Sequence, residues 1–185
     1  MADSQLEPTV QSETVFEGKI LNLRVDTVRM PHGKLAIREI AEHAHAICAV
    51  PIDSEGNVLM VRQYRKPTES ELLEVVAGGI EGDEAPRDAA LRELQEEIGH
   101  TAGRLQLLSS FWIAPGWCTE YMHAYLATDL SPASLTADDD ENISVVTVPL
   151  DQVQGLIQSG EIRDAKSIAS LLMALRIMEQ EELDR

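Results

Sequence analysis

Basic side chains are in short supply. The chain has 15 Lys and Arg against 32 Asp and Glu, a formal net charge of −17. That balance excludes a nucleic-acid surface, because binding a phosphate backbone requires a basic footprint. It also burdens any small anionic ligand, which would need a divalent cation or a local cluster of arginines to be held. Cysteine is equally scarce. Cys48 and Cys118 are the only two, which argues for reduced thiols in a cytoplasmic protein and against a disulfide frame. No apolar run reaches membrane-spanning length, and "MADSQLEPTV" lacks both a basic n-region and an apolar h-region. Neither a membrane span nor a signal peptide is expected. Aromatic residues make up 4% of the chain, so stacking partners for a planar ligand are few, and Phe16, Tyr64, Trp112 and Trp117 are the candidates.

What is present suffices for a folded domain. Apolar residues account for 44% of 185 positions, enough for one core with an N-terminal appendage. Residues 1–12 are polar and expected to be loose. "TVFEGKILNLRVDTVRM" and "LAIREIAEH" alternate apolar and polar residues around the turn "PHGK", which predicts a small antiparallel sheet. "HAICAVPID" and "VLMVRQYR" flank the turn "SEGN" and read as a hairpin. "ELLEVVAGGIE" reads as one further strand running into glycines. "GRLQLLSSFWI", the loop "APGWCTE" and "YMHAYLATDL" read as strand, loop and strand. "ISVVTVPL" is another strand, and two helices close the chain. Helices placed at separate points along a series of strands indicate an α+β or mixed-sheet layered domain. We expect a division into an N-terminal strand region, 1–45, and a main domain, 46–185. His43, His45 and His123 have no zinc-ligand spacing, and nothing around Cys118 suggests an activated thiolate.

The clearest helix is "DEAPRDAALRELQEEIG". Pro86 lies near its first turn and Gly99 follows its last. Glu93, Glu96 and Glu97 sit at i, i+3 and i+4, so they share one helix face. Like charges at that spacing repel unless a counter-ion joins them, and hard divalent cations favour oxygen ligands. From acid spacing alone, a solvated face and a metal site are equally good readings.

The full pattern is more specific. Gly78, then Glu84, then Arg92-Glu93-Leu94-x-Glu96-Glu97-x-Gly99 resembles the Nudix box, the signature of the Nudix hydrolases. One position departs: His100 stands where the family has an aliphatic residue. The resemblance implies an α/β/α sandwich around a mixed sheet, with the N-terminal antiparallel strands added to it. It implies hydrolysis of a nucleoside diphosphate linked to another moiety, with Mg²⁺ as cofactor and Mn²⁺ able to substitute. By this match Glu93 and Glu97 are the principal metal ligands, and Glu96 is an additional ligand or the base. The carbonyl of Ala77 is a further ligand. Arg92 and Glu84 pair to hold the helix in register. A cation-bridged diphosphate would also resolve the charge problem.

Features outside the box are similar to the ADP-ribose pyrophosphatases. Pro115, Gly116, Trp117 and Glu120 in "APGWCTE" match a substrate loop. Arg38 and Arg65 resemble the strand arginines that reach the diphosphate or terminal ribose. Glu141, in the acidic loop "ADDDENI", matches a mobile general base. The resemblance covers roughly 14–175 and implies a homodimer whose N-terminal strands cross to the partner. Gly79 after "AG" and the missing proline in "LEVVAG" depart from many relatives and bear on base preference. The reaction expected is cleavage of ADP-ribose to AMP and ribose 5-phosphate. The alternatives are a broader nucleoside diphosphate sugar pyrophosphatase, acting on GDP-mannose or UDP-sugars, and a Nudix-fold module that senses a nucleotide without cleaving it.

Overall fold

Strand β1 (Thr9–Glu17), β2 (Leu21–Arg29) and β3 (Leu35–His43) form an antiparallel meander in that order. The fold is that of a computed structural model, which describes residues 6–135 and 142–183. The β2–β3 turn closes through Met30 N–H to the Lys34 carbonyl at 2.8 Å, with Gly33 at φ 87°, a conformation glycine adopts without steric cost. Residues 9–12, expected to be loose, belong to β1. Register shifts between Thr9 and Gln11 and between Thr14 and Phe16 break the alternation of apolar residues, which hides the strand from a period-two reading. Every residue of β1 is exposed.

The chain divides into two compact units. The first is Met1–His45 with Trp112–Tyr121, and the second is Ala46–Phe111 with Met122–Arg185. Within the first, the loop after Trp112 is stitched to β3 at Ala41. The Ala41 N–H donates to the Trp117 carbonyl at 2.7 Å, and the Thr119 N–H donates to the Ala41 carbonyl at 3.0 Å.

In the second unit, β4 (Ala46–Pro51) is buried throughout. It pairs antiparallel with β7 (Val76–Gly79) and parallel with β9 (Tyr121–Pro132), and β8 (His100–Trp112) completes the mixed sheet β7-β4-β9-β8. Successive side chains of a strand point to opposite faces. Ile47 and Ala49 accordingly join the core with Ala89, Ala90 and Leu94 of helix α1 (Pro86–Glu97). Cys48, between them, meets Ser170 of helix α3 (Ala165–Leu183). The sheet therefore lies between helices, as the expected α/β/α sandwich requires. Helix α1 has Pro86 in its first turn, and Gly99 at φ 67° lies just past its end. Leu94 is fully buried, and truncating it to Ala would cost about 2–5 kcal/mol.

Two expectations are corrected by the sheets. The turn at Asp53–Asn57 exists, held by Asp53 Oδ1 accepting the N–H groups of Glu55 at 2.9 Å and Asn57 at 2.8 Å. Its flanking strands nevertheless do not form a hairpin. After one bridge, Ile52 to Val58, β5 (Asn57–Arg65) joins a different sheet, of order β10-β5-β6. The local turn chemistry specifies a reversal, but β4 finds its partners in β7 and β9, and β5 pairs with β6, which follows it, and with distant β10. "ELLEVVAGGIE" likewise is two strands: β6 (Ser70–Glu74) pairs with β5, and β7 pairs with β4. Between them, the Val75 N–H leaves the ladder and donates to Ser167 Oγ at 2.9 Å. Strand β10 (Ile143–Pro149) and helix α2 (Val153–Ser159) complete the unit.

Candidate active site

The acidic face of α1 is set against the glycines that end β7. Glu93 and Glu97 are each only 7% exposed, which is costly for carboxylates unless each finds an opposite charge or a donor. Arg92 meets much of that demand. Its Nη1 lies 2.7 Å from Glu93 Oε1 and 2.9 Å from Glu96 Oε2. Its Nη2 donates to Glu84 Oε2 at 3.1 Å and to the Gly79 carbonyl at 2.9 Å, and its Nε donates to Glu84 Oε1 at 3.2 Å. Burial works against the Arg92 charge, but the hydrogen bonds to Glu84 and Glu93 outweigh it and raise its pKa further above the ordinary value. Glu84 is held below the usual carboxylate range chiefly by its hydrogen bond from Arg92. Glu97 turns the other way and accepts the Ala77 N–H at 3.3 Å.

Gly78 makes this packing possible. A Cβ on it would stand 1.8 Å from Glu93 Oε1, so the buried carboxylate occupies the space that any larger residue would fill. The concavity here has a volume of about 200 Å³ and is lined by Gly78, Gly79, Arg92, Glu93 and Glu96, with Ile80 and Glu81. Three acids, Glu84, Glu93 and Glu96, gather around the single guanidinium of Arg92, and a fourth, Glu97, lies on the same helix and accepts the Ala77 N–H. The surplus negative charge and the all-oxygen donor set suit a hard divalent cation. It is not a finished cage. Among the described residues no three His, Cys, Asp or Glu side chains already converge on one point, and Arg92 Nη1 bridges Glu93 and Glu96.

Arg65, at the end of β5, is committed to a buried partner. Its Nε and Nη2 form a fork on Glu74 at 2.9 and 2.8 Å, and its charge is also felt by Glu97. Nη1 is the nitrogen outside this fork. Glu141 lies outside the described residues.

The first unit has its own cavity, about 540 Å³, with Trp112, Pro115, Gly116 and Trp117 on one side and Arg24 and Arg38 on the other. Trp117 and Trp112 are 60% and 52% exposed, and Trp112 packs on Tyr121 with ring centroids 4.7 Å apart. Arg38 donates through Nε to Glu7 at 2.8 Å. Glu120 closes the loop through its carbonyl, which accepts the Ile113 N–H at 3.1 Å. Arg24 was not singled out in the sequence. Register pairs it with Ile40, two residues from Arg38, so both arginines fall on one face of the ribbon, where Arg24 also meets Glu42 at 2.7 Å. Period-two spacing across the turn was the signal for it. Of the other stacking candidates, Phe16 and Tyr64 are exposed on β1 and β5, and neither lines this cavity.

A glycine strand end, a helix of carboxylates held by one arginine and a mixed sheet between helices define a hydrolase of phosphate anhydrides. The chain belongs to the Nudix family: the NUDIX domain matches residues 42–171. Residues 7–41 match the nucleoside diphosphate sugar hydrolase N-terminal domain. Members of the family generally use divalent metal ions. The ADP-ribose pyrophosphatase of Bacillus subtilis is 39% identical over 163 residues, 87% of this chain and 88% of that protein. The ADP-ribose pyrophosphatase of Mycobacterium tuberculosis is 36% identical over 175 residues, 93% of this chain and 84% of that protein. The crystal structure of an ADP compounds hydrolase superposes with a TM-score of 0.88 at 26% identity, covering 96% of each chain. GDP-mannose pyrophosphatases, at 33–34% identity, are among the relatives.

Proposed function

We propose that this protein is a Mg²⁺-dependent pyrophosphatase that hydrolyses ADP-ribose to AMP and ribose 5-phosphate, with Mn²⁺ able to replace Mg²⁺. The carrying observation is the set of three carboxylates around Arg92 together with buried Glu97, Glu93 lying against Gly78 and Glu97 against the Ala77 N–H of β7. Glu93, Glu97 and the Ala77 carbonyl would hold the cation, with Glu96 as an added ligand or the base. A cation bound there supplies charge neutralisation for the diphosphate and activation of a water. Arg92 and Glu84 keep the acids in register, a role that commonly tunes ligand geometry. Water attacks one phosphorus, the P–O bond of the anhydride breaks, and the water's proton passes to a carboxylate, either Glu96 or Glu141. Arg65 is assigned to the diphosphate. Arg38, Pro115, Gly116, Trp117 and Glu120 are assigned to the rest of the substrate, with Trp117 stacking on the base.

We assign 46–185 to the hydrolase domain and 1–45 to a homodimer contact. Support for the latter is the exposure of Val10, Val15, Phe16, Leu35 and Ile37 on the three-stranded sheet, more apolar surface than a lone sheet leaves in water. No helix among the described residues is long and apolar enough to cross a membrane, and two unpaired thiols suit a cytoplasmic setting.

The test is release of mononucleotide from ADP-ribose, GDP-mannose, UDP-glucose and NADH in Mg²⁺. Preference for ADP-ribose is expected. The GDP-mannose pyrophosphatases among the relatives favour the broader nucleoside diphosphate sugar reading as second, and comparable rates on several sugars would establish it. No cleavage of any would overturn both and leave a nucleotide-sensing module. Sedimentation of the full chain tests the dimer, and a monomer at micromolar concentration would overturn it.

A further inference from the structure

Outside the box, the most heavily invested group of charges is at the start of α3. Glu74, at the end of β6, is 1% exposed. It accepts the Arg65 fork, and it also contacts the Lys166 ammonium. Lys166 in turn lies 2.9 Å from Asp164 Oδ1. That same oxygen caps the helix by accepting the Ser167 N–H at 3.0 Å. A lysine in the first turn of a helix opposes the helix dipole, so this position works against helix stability unless another charge offsets it. The offset comes from Glu74, on another element. The same turn reaches the β6–β7 break, because Ser167 Oγ accepts the Val75 N–H at 2.9 Å. Two residues beyond Val75 is Ala77, which donates to Glu97.

We propose that Lys166 is a positioning residue for substrate binding, acting through Glu74 on Arg65. The inference rests on the diphosphate hydrolase reading above. Its physical basis is a balance of charge. With Lys166, the group Arg65, Lys166, Glu74 and Asp164 is neutral, and the Arg65 guanidinium is fixed by its Nε and Nη2 edge with Nη1 left for a phosphate oxygen. Without Lys166, the group carries a net negative charge in the neighbourhood of Glu97, an environment hostile to a diphosphate. Glu74 would then also lose one of the two cations that hold it in place, and with it the orientation of the fork.

The test measures KM and kcat on ADP-ribose, and the calorimetric affinity for inorganic pyrophosphate in Mg²⁺, for the full chain and its variants. Lys166→Met is expected to raise KM and the pyrophosphate Kd by about tenfold, the scale of one charge-assisted contact, while kcat changes little. Lys166→Arg keeps the charge and is expected to restore most of both. In an Arg65→Ala background, Lys166→Met is expected to weaken binding distinctly less than it does with Arg65 present, because only the direct charge effect remains. If Lys166→Met alone fails to fold, the Glu74→Gln, Lys166→Met pair removes the uncompensated charge and is expected to fold with the same weakened binding. A purely structural role would lower the unfolding temperature and the active fraction without moving KM. Unchanged KM and Kd, no rescue by arginine, equal weakening without Arg65, or no pyrophosphate binding by the wild type would each overturn the proposal. If the wild type cleaves no nucleoside diphosphate sugar but the pyrophosphate pattern holds, the functional reading falls and the positioning role stands.

Discussion

Gly78→Ala isolates the demand that the site places on one strand. A methyl carbon at this position would meet Glu93 Oε1 at 1.8 Å and Cδ at 2.0 Å. Real Cβ contacts do not fall below 3.0 Å, so the carboxylate has to retreat by about 1.2 Å, and a misplacement of about 1 Å in catalytic geometry can cost ~10²-fold. We therefore expect kcat/KM on ADP-ribose to fall by ~10²-fold, or about 2.7 kcal/mol in transition-state stabilisation. Stability should change much less. The backbone at Gly78 needs no left-handed conformation, so alanine loses nothing there and gains from a stiffer unfolded chain, an effect of about 0.4–1 kcal/mol that partly offsets the clash. The neighbouring glycine is the internal control. A Cβ on Gly79 meets nothing within 4 Å, so Gly79→Ala is expected to stay near wild type. Mononucleotide release across ADP-ribose concentrations, together with thermal unfolding of each variant, makes the comparison. Wild-type kcat/KM in Gly78→Ala, or an equal loss in Gly79→Ala, would refute the placement of Glu93 as the critical group beside this strand.

Other expectations follow from the same geometry. Glu97→Gln should lower turnover by at least ~10²-fold by removing a cation ligand while the fold persists, and chelation of Mg²⁺ should abolish wild-type activity reversibly; wild-type turnover in the variant would sink the ligand assignment. Burial pushes the Cys48 thiol up to about 12, against a hydrogen bond with Ser170 that lowers it. An aromatic disulfide reagent at pH 8 should thus label half-buried Cys118 in the native protein and Cys48 only after unfolding, and two fast thiols in the native state would contradict that packing. For Glu74, burial opposes the charged form, but Arg65 and Lys166 outweigh it and hold the carboxyl below its ordinary value of 4.5. A depressed folded pKa contributes stability that is present above the unfolded value and lost as pH falls through the folded one. Unfolding temperature should consequently drop below about pH 4.5 more steeply in the wild type than in Glu74→Gln, and parallel pH profiles would contradict it.

Much of the site was legible because its logic is local. Arg92, Glu93, Glu96 and Glu97 share a face through helical periodicity alone, and Pro86 and Gly99 mark where that helix begins and ends. Glu84 comes from the loop that enters the same helix, so it too lies within a short reach of chain. Arg24 was legible only through period-two spacing across the turn, and the Lys166–Glu74 contact was not legible at all. The first is placed beside Arg38 by strand register. The second joins residues 92 positions apart in sequence, and no spacing rule reaches across that distance.

The sequence by itself determined the elements whose hydrogen bonds close within a few residues: the carboxylate helix with its glycine exit, the Asp53 turn, and the alternation of β2 and β3. Tertiary structure alone decided which sheet each buried strand joined. A fully apolar strand such as β4 is satisfied by any neighbour that supplies N–H and C=O groups, so β4 and β5 part after their turn, and β6 and β7 separate at Val75, where Ser167 takes over the lost ladder bond. It also decided the fate of the arginines. A guanidinium on a strand carries no sequence mark of its partner, and only the packed fold turned Arg65 onto buried Glu74 and set Lys166 on the same carboxylate.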